Sequence, residues 1–229
     1  MVGVPSIGTI TITLQVELVF SLIIMVALGI LFVYAGNKVK KADPLERPSG
    51  IVLVAETGIS MGYNYIKSVM PQQKFEKNYY PYFVMMFAYL VCANLSGLLG
   101  FEAPTSNYSI TLAITLITFA LIQWESIKKL GGLGYLKDKL IPPTNLLSAV
   151  SPAISLSMRL FGNILSGSVM MTMVYSFTSW LSSFLCPVNI LGPVIAPVLH
   201  CYFDIFAGCI QTLVFVTLSS ILISVEAAD

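Results

Sequence analysis

Charge is what this sequence has least of. Asp, Glu, Lys and Arg together make up 10% of its 229 residues, where a soluble domain carries about 25%. No single buried core absorbs such a deficit, so lipid is the solvent for much of the chain. The mean hydropathy of +0.85 and the hydrophobic share of 56% agree. A net charge of +1 provides no basic face for nucleic acid, because phosphate neutralisation needs many Lys and Arg side chains. The four cysteines, Cys92, Cys186, Cys201 and Cys209, lack the spacing of a metal site. They lie in apolar runs and read as packing residues. No metal or cofactor is expected. No internal repeat or low-complexity tract is visible, although an inverted-repeat transporter often shows one. Residues 1–15 hold no basic residue. The first apolar run is also too long for a signal core, so no secretory signal is expected.

Long apolar runs are what the sequence does have. Five are long enough to cross about 30 Å of hydrocarbon as helices. They are Leu18–Asn37, Asn78–Phe101, Ala103–Gln123, Thr144–Tyr175 and Ile190–Val225. The last two exceed a perpendicular span and should tilt or lie partly along the membrane plane. Seven of the twelve basic residues fall between Lys38 and Lys77, and four between Lys128 and Lys139. The positive-inside rule places both stretches in the cytoplasm. The N-terminal segment 1–15 is then outside and the C-terminus inside. Between the first two spans, Glu56, Ser60, Asn64 and Lys67 form one polar stripe at helical spacing. A helix over 47–70 lying on the cytoplasmic surface is expected. An alternative is a short soluble helix packed on other subunits. The fold class is thus an all-α integral membrane protein. It is one membrane domain of five spanning helices plus one surface amphipathic helix, the last two spans long and tilted.

From Leu140 to Val225 the chain carries two formal charges, Arg159 and Asp204. Either would cost about 2.5–3.5 kcal/mol at the centre of a membrane helix. Such residues face a bundle interior or a wet cavity and mark an ion path. The plainer alternative is a structural ion pair between the two helices. Thr144, Ser148, Ser151, Ser155, Arg159, Asn163 and Ser166 recur at three- and four-residue steps, which makes one continuous polar face. Gly162 and Gly167 beside it permit close approach of another helix. Asp204, Gly208 and Gln211 also share a face, and His200 lies one turn before Asp204. A lone histidine is more often a satisfied hydrogen-bonding residue. Beside a membrane carboxylate, a relay role becomes a serious alternative.

The run from Ser155 through Arg159-Leu-Phe-Gly-Asn163, followed by Gly167, closely resembles the signature of subunit a of bacterial F-type ATP synthases. Pro104–Leu112 resembles that family's start of a middle span. Gly131–Gly134 resembles its cytoplasmic loop, and Gly208–Leu218 its terminal helix. The resemblance covers residues 80–226 well and the N-terminal third loosely. It implies that Arg159 is the stator arginine, accompanied by Asn163 and Gln211. Where the family usually has a Glu/His pair, this chain has Ser168 and Asp204. Asn145 and Asn107 stand where the family often has acidic residues.

The resemblance implies a non-catalytic subunit that forms two offset aqueous half-channels against a rotating ring of c subunits. Peripheral-stalk b subunits, lipid and the ion, H⁺ or Na⁺, are the other implied partners. The implied location is the bacterial plasma membrane. Asn107, Ser109, Ser168, Asp204 and Gln211 are expected along the outer half-channel. Asn145, Ser148 and Ser151 are expected along the inner one, with His200 helping ions reach Asp204. Two alternatives remain at this level. One is a stand-alone transporter or channel using Arg159 and Asp204, and the other is a scaffold in which the arginine braces helices.

Overall fold

The computed structural model describes residues 2–3, 13–41, 50–70, 73–99, 103–140, 142, 144–183 and 191–227. Apart from one short antiparallel pairing of Val2–Gly3 with Thr13–Leu14, the described elements are helical. Helix α1 is Val16–Lys41, α2 is Ile51–Val69, and α3 is Gln73–Leu95. Helix α4 is Tyr108–Leu140 and α5 is Thr144–Ser183. Helix α6, Leu191–His200, passes through a π-helical segment, Cys201–Ala207, into α7, Gly208–Ala227.

Four stretches are long and apolar enough to cross a membrane: Val16–Lys41, Tyr108–Gly132, Leu147–Ser183 and Gly192–Glu226. The apolar part of α3, Tyr79–Leu95, is shorter. The run expected to reach Phe101 stops being α-helical at Leu95, where a 3-10 turn, Ser96–Leu99, takes over. There the Ser96 hydroxyl donates to the Ala93 carbonyl at 2.7 Å. That bond meets one of the acceptors a helix end leaves open. Residues 100–102 and 184–190 lie outside the described set, as do residues 47–49 of the expected surface helix.

The next run differs at both ends. Pro104–Ser106 forms a 3-10 turn, so α4 starts at Tyr108 rather than Ala103. It then continues seventeen residues past Gln123, to Leu140. The Gly131–Gly134 stretch is therefore a kink in a helical path rather than a loop. Gly131 alone breaks it, with φ 70° and ψ 157°, a conformation that suits glycine because it has no Cβ. Helix α5 has 40 residues, about 60 Å at 1.5 Å per residue. That is twice the hydrocarbon thickness, so α5 tilts strongly or leaves the bilayer. Helix α1 is barely covered by its own chain, with Ser21 its one buried residue. An apolar helix exposed all round belongs in lipid.

The core lies between α3, α4, α5 and α7. Phe83 and Leu90 of α3 are buried there with Leu160 of α5, and with Phe215 and Ile223 of α7. Helix α2 docks on this core through Ile66, while its stripe of Glu56, Ser60, Asn64 and Lys67 stays exposed. The Tyr80 hydroxyl donates to the Ile59 carbonyl at 2.6 Å and ties α3 to α2. The buried face of α4 is hydroxylic: Thr111, Thr115 and Thr118 have no exposed surface. Thr115 donates to the Thr111 carbonyl at 2.8 Å, and Thr118 to the Ile114 carbonyl at 3.1 Å. Small hydroxyl residues let membrane helices approach closely while meeting their own hydrogen-bond needs.

Asn94 locks the bundle near the site. Its amide donates to the Gly208 carbonyl at 3.1 Å and to the Thr212 hydroxyl at 3.2 Å. Its oxygen accepts from the Thr105 hydroxyl at 3.1 Å. A Cβ on Gly208 would sit 3.1 Å from the Asn94 Cβ, so glycine gives the amide its seat. Interhelical bonds of this kind in bilayers average about 0.6 kcal/mol each. Losing all three in Asn94→Ala should destabilise the protein by about 2 kcal/mol. The midpoint of denaturant unfolding in lipid–detergent micelles measures it. An unchanged midpoint would mean that these bonds do not hold the bundle.

Candidate functional site

Helix α5 separates its two faces sharply. Ala153, Leu156, Ser157, Leu160, Gly167 and Met171 are buried against the bundle. Ser148, Ser151, Ser155, Arg159 and Ser166 are exposed on the other side, with Asn145 and Asn163 half-buried. The polar face expected from the spacing therefore exists, but it points away from its own chain. Exposed Ile154, Met158 and Leu165 surround it. Several of its hydroxyls bond back to the helix, Ser148 to the Thr144 carbonyl at 3.3 Å and Ser166 to the Asn163 carbonyl at 3.0 Å. They can change partner at little cost. Arg159 makes no hydrogen bond or ion pair with any described residue.

Asp204 is not the partner of Arg159. It sits in the π-helical segment, and its Oδ2 lies 2.7 Å from Nδ1 of His200. The interhelical ion pair considered as a plain alternative is thus absent among the described residues. A π-helical turn inside an α-helix is rare and recurs at functional sites. Gly97 faces the carboxylate: a Cβ there would lie 3.9 Å from Asp204 Cγ. The far nitrogen of the His200 ring, Nε2, is 3.0 Å from the Tyr175 hydroxyl.

A cavity of about 470 Å³ opens beside this pair, lined by Asn163, Ser168, His200 and Asp204. Ser168, Asp204 and His200, expected along the outer path, thus meet Asn163, expected beside the arginine, in one space. The structure adds Glu17 from α1, Asn94 from α3 and Ser106 from the turn before α4. Glu17 opens a helix, where an acidic residue complements the dipole. That ordinary role hid it from sequence reasoning. Tyr175 had no signal either, since its contact with His200 spans 25 residues of sequence.

The other expected residues lie elsewhere. Gln211 is buried in α7, and its Nε2 has no hydrogen-bond partner among the described residues. It does not line the cavity. Asn107 accepts from the Ser109 backbone N–H at 3.0 Å, capping α4, and its amide donates to the Gln15 side chain. Ser109 lines a separate apolar groove of about 410 Å³ between α1, α3 and α4. Asn145, Ser148, Ser151 and Ser155 lie on the first turns of α5, before Arg159. Nearby, Lys139 pairs with Glu226 at 3.2 Å and joins the ends of α4 and α7. Of the cysteines, Cys92 and Cys209 are half-buried and Cys201 is exposed, so the packing role expected of Cys201 is not filled within this chain. Cys186 lies outside the described residues. One buried carboxylate also escaped the sequence reading. Glu125 on α4 accepts from the Tyr79 hydroxyl and from Lys128 Nζ, the latter at 2.9 Å.

Known proteins of this kind exist. Residues 18–224 match the family model described as ATP synthase A chain. The ATP synthase subunit a of Mycoplasma pneumoniae is 32% identical over 220 residues, covering 86% of this chain and 74% of the relative. That of Mycoplasma genitalium is 33% identical with the same coverage. The subunit a of Legionella pneumophila strain Philadelphia 1 is 30% identical over 200 residues, 85% of this chain and 80% of the relative. With a family match over nearly its whole length and an apolar helical body, the chain belongs to the ATP synthase A chain family, as a membrane subunit of the Fo sector that is not catalytic by itself.

Proposed function

We propose that this chain is the ion-translocating stator of its ATP synthase, with two offset aqueous half-channels facing a rotating ring of c subunits. The single observation that carries this is Arg159, exposed, without a partner among the described residues, and the one charge on a helix face of hydroxyls bordered by apolar side chains. A guanidinium in that setting needs an anion or water from outside its own chain. A ring of subunits, each bringing one carboxylate past the arginine, supplies that anion in turn.

The chemistry follows from the cost of burying charge. An ionised carboxylate cannot turn into lipid. It must take up an ion first and release it at the other half-channel. Arg159 makes the ionised form tolerable between the two, favours release, and repels cations that would leak straight across. Arginine suits this because it keeps its charge in a low dielectric, where lysine can lose it. Each charge that crosses yields about 2.3 kcal/mol per 100 mV.

In this mechanism the cavity of Asn163, Ser168, His200 and Asp204 belongs to the outer half-channel, along with Gln211, Asn107 and Ser109. His200 passes protons to Asp204, which it already touches. Asn145, Ser148 and Ser151 belong to the inner half-channel. The ion is H⁺ or Na⁺, and peripheral-stalk b subunits hold the chain against torque. The chain crosses a bacterial plasma membrane five times, α3 included, with its N-terminus outside and its C-terminus in the cytoplasm. The basic residues at the end of α1, Lys38, Lys40 and Lys41, support that orientation. Family membership disfavours the stand-alone transporter.

Single cysteines in a cysteine-free background test the two paths. In the assembled enzyme in sealed vesicles, Asp204→Cys should react with silver ions added outside, and Ser148→Cys with silver ions from the cytoplasmic side. Reaction of both from one side only would end the two-channel assignment.

A further inference from the structure

Tyr175 stands seven residues beyond Ser168 on α5 and touches His200, which lines the cavity that holds Asp204. Its hydroxyl is 3.0 Å from Nε2 of His200, while Nδ1 is 2.7 Å from Asp204 Oδ2. Both ring nitrogens are thus engaged, and one hydrogen-bonded chain joins α5 to the π-helical segment. An ionised carboxylate only accepts. In the neutral ring, therefore, Nδ1 carries the proton and Nε2 is bare. The bare nitrogen accepts the Tyr175 O–H. When Nε2 takes up a proton it becomes a donor, and the same hydroxyl turns to accept from it, since a hydroxyl does both. The side chains that face His200 are Tyr175 from α5 and Asp204 from its own stretch; Glu17 from α1 lines the same cavity.

We propose that Tyr175 is a positioning residue for proton uptake, holding the His200 ring in line with Asp204 in both of its protonation states. This rests on the role given to His200 above. The transfer balances: the Tyr175 O–H turns aside, Nε2 takes one proton from water and then donates to the phenol oxygen, Nδ1 gives one proton to Asp204 Oδ2, and Asp204 passes it on to a ring carboxylate before the imidazole resets. Tyr175 only turns its O–H and neither gains nor loses a proton in the cycle. A phenylalanine would fill the same space and leave Nε2 unheld. The Tyr175 ring also lies against the imidazole, 6.3 Å between centroids, and Phe retains that contact. The substitution therefore isolates the hydroxyl.

Tyr175→Phe, His200→Ala and the double variant are compared in the assembled enzyme in vesicles, by ATP-driven proton pumping from pH 6 to 9. Tyr175→Phe is expected to slow pumping about three- to tenfold, the worth of one hydrogen bond. Its pH–rate profile should also move by about half a unit or more. A loss of packing alone would lower the rate without moving the profile. In the His200→Ala background the same substitution is expected to change nothing, because its effect passes through the ring. Wild-type pumping by Tyr175→Phe beside a slow His200→Ala overturns the tyrosine assignment alone. So does an equal slowing by Tyr175→Phe whether or not His200 is present. Wild-type pumping by His200→Ala overturns the relay itself.

Discussion

Arg159→Ala is expected to leave the complex assembled and to abolish ATP synthesis driven by an ion gradient. Nothing in the chain's own packing opposes the change: Arg159 is exposed and bonds to no described residue. The buried side of α5, with Leu156 and Leu160, stays as it is. What disappears, in the proposed mechanism, is the cation that holds a ring carboxylate ionised between the two half-channels. A unit charge pair 4 Å apart near a protein surface is worth about 4 kcal/mol. Losing it shifts the release equilibrium by about a thousandfold. Arg159→Lys should recover little, because an ammonium can neutralise and lacks the planar fork. Vesicles carrying the assembled variant, energised by a gradient, give the measurement. Normal synthesis by Arg159→Ala would remove the arginine from the mechanism.

The same scarcity of charge explains why this residue was legible in the sequence. With two charges between Leu140 and Val225, each had to be in an unusual place. The contact between His200 and Asp204 was legible too, because residues four apart meet on any helix. The π-helical turn beneath them was not. It lies where α6 and α7 meet their neighbours, with Asn94 seated on Gly208 just past its end. No periodicity records such a fit. Helix ends failed for a related reason. Hydropathy marks where lipid could be, not where hydrogen bonds stop. Helix α3 therefore ends at Leu95, inside an apolar run, and α4 continues through Lys128 and Lys129, where the apolar run has ended. Residues brought together from distant segments were the least visible. Tyr175 and Glu17 reach the site from different helices, and each reads in isolation as an ordinary aromatic or an ordinary first-turn acid.

Asp204→Asn is expected to cut proton-driven ATP synthesis about a hundredfold or more, the low end of what a positioned proton-transfer group contributes. The substitution is nearly isosteric. An asparagine oxygen can still accept from His200 Nδ1, so the π-helical turn and the ring orientation should survive. The lost property is the ability to take a proton and give it up again. The cavity itself offers a way to tell that loss from a packing defect. Ser168 lines the same space as Asp204, and its hydroxyl ties only to its own helix, donating to the Leu165 carbonyl at 2.9 Å. Adding Ser168→Asp to Asp204→Asn returns a carboxylate to the cavity from the opposite helix, with water able to bridge the gap to His200. Partial recovery of synthesis in the double variant is the expected outcome. It would show that the path needs a titrating group in this cavity more than it needs one on a particular helix. If Asp204→Asn makes ATP at the wild-type rate, protons do not pass through Asp204, and the cavity is only a gap in the packing of the bundle.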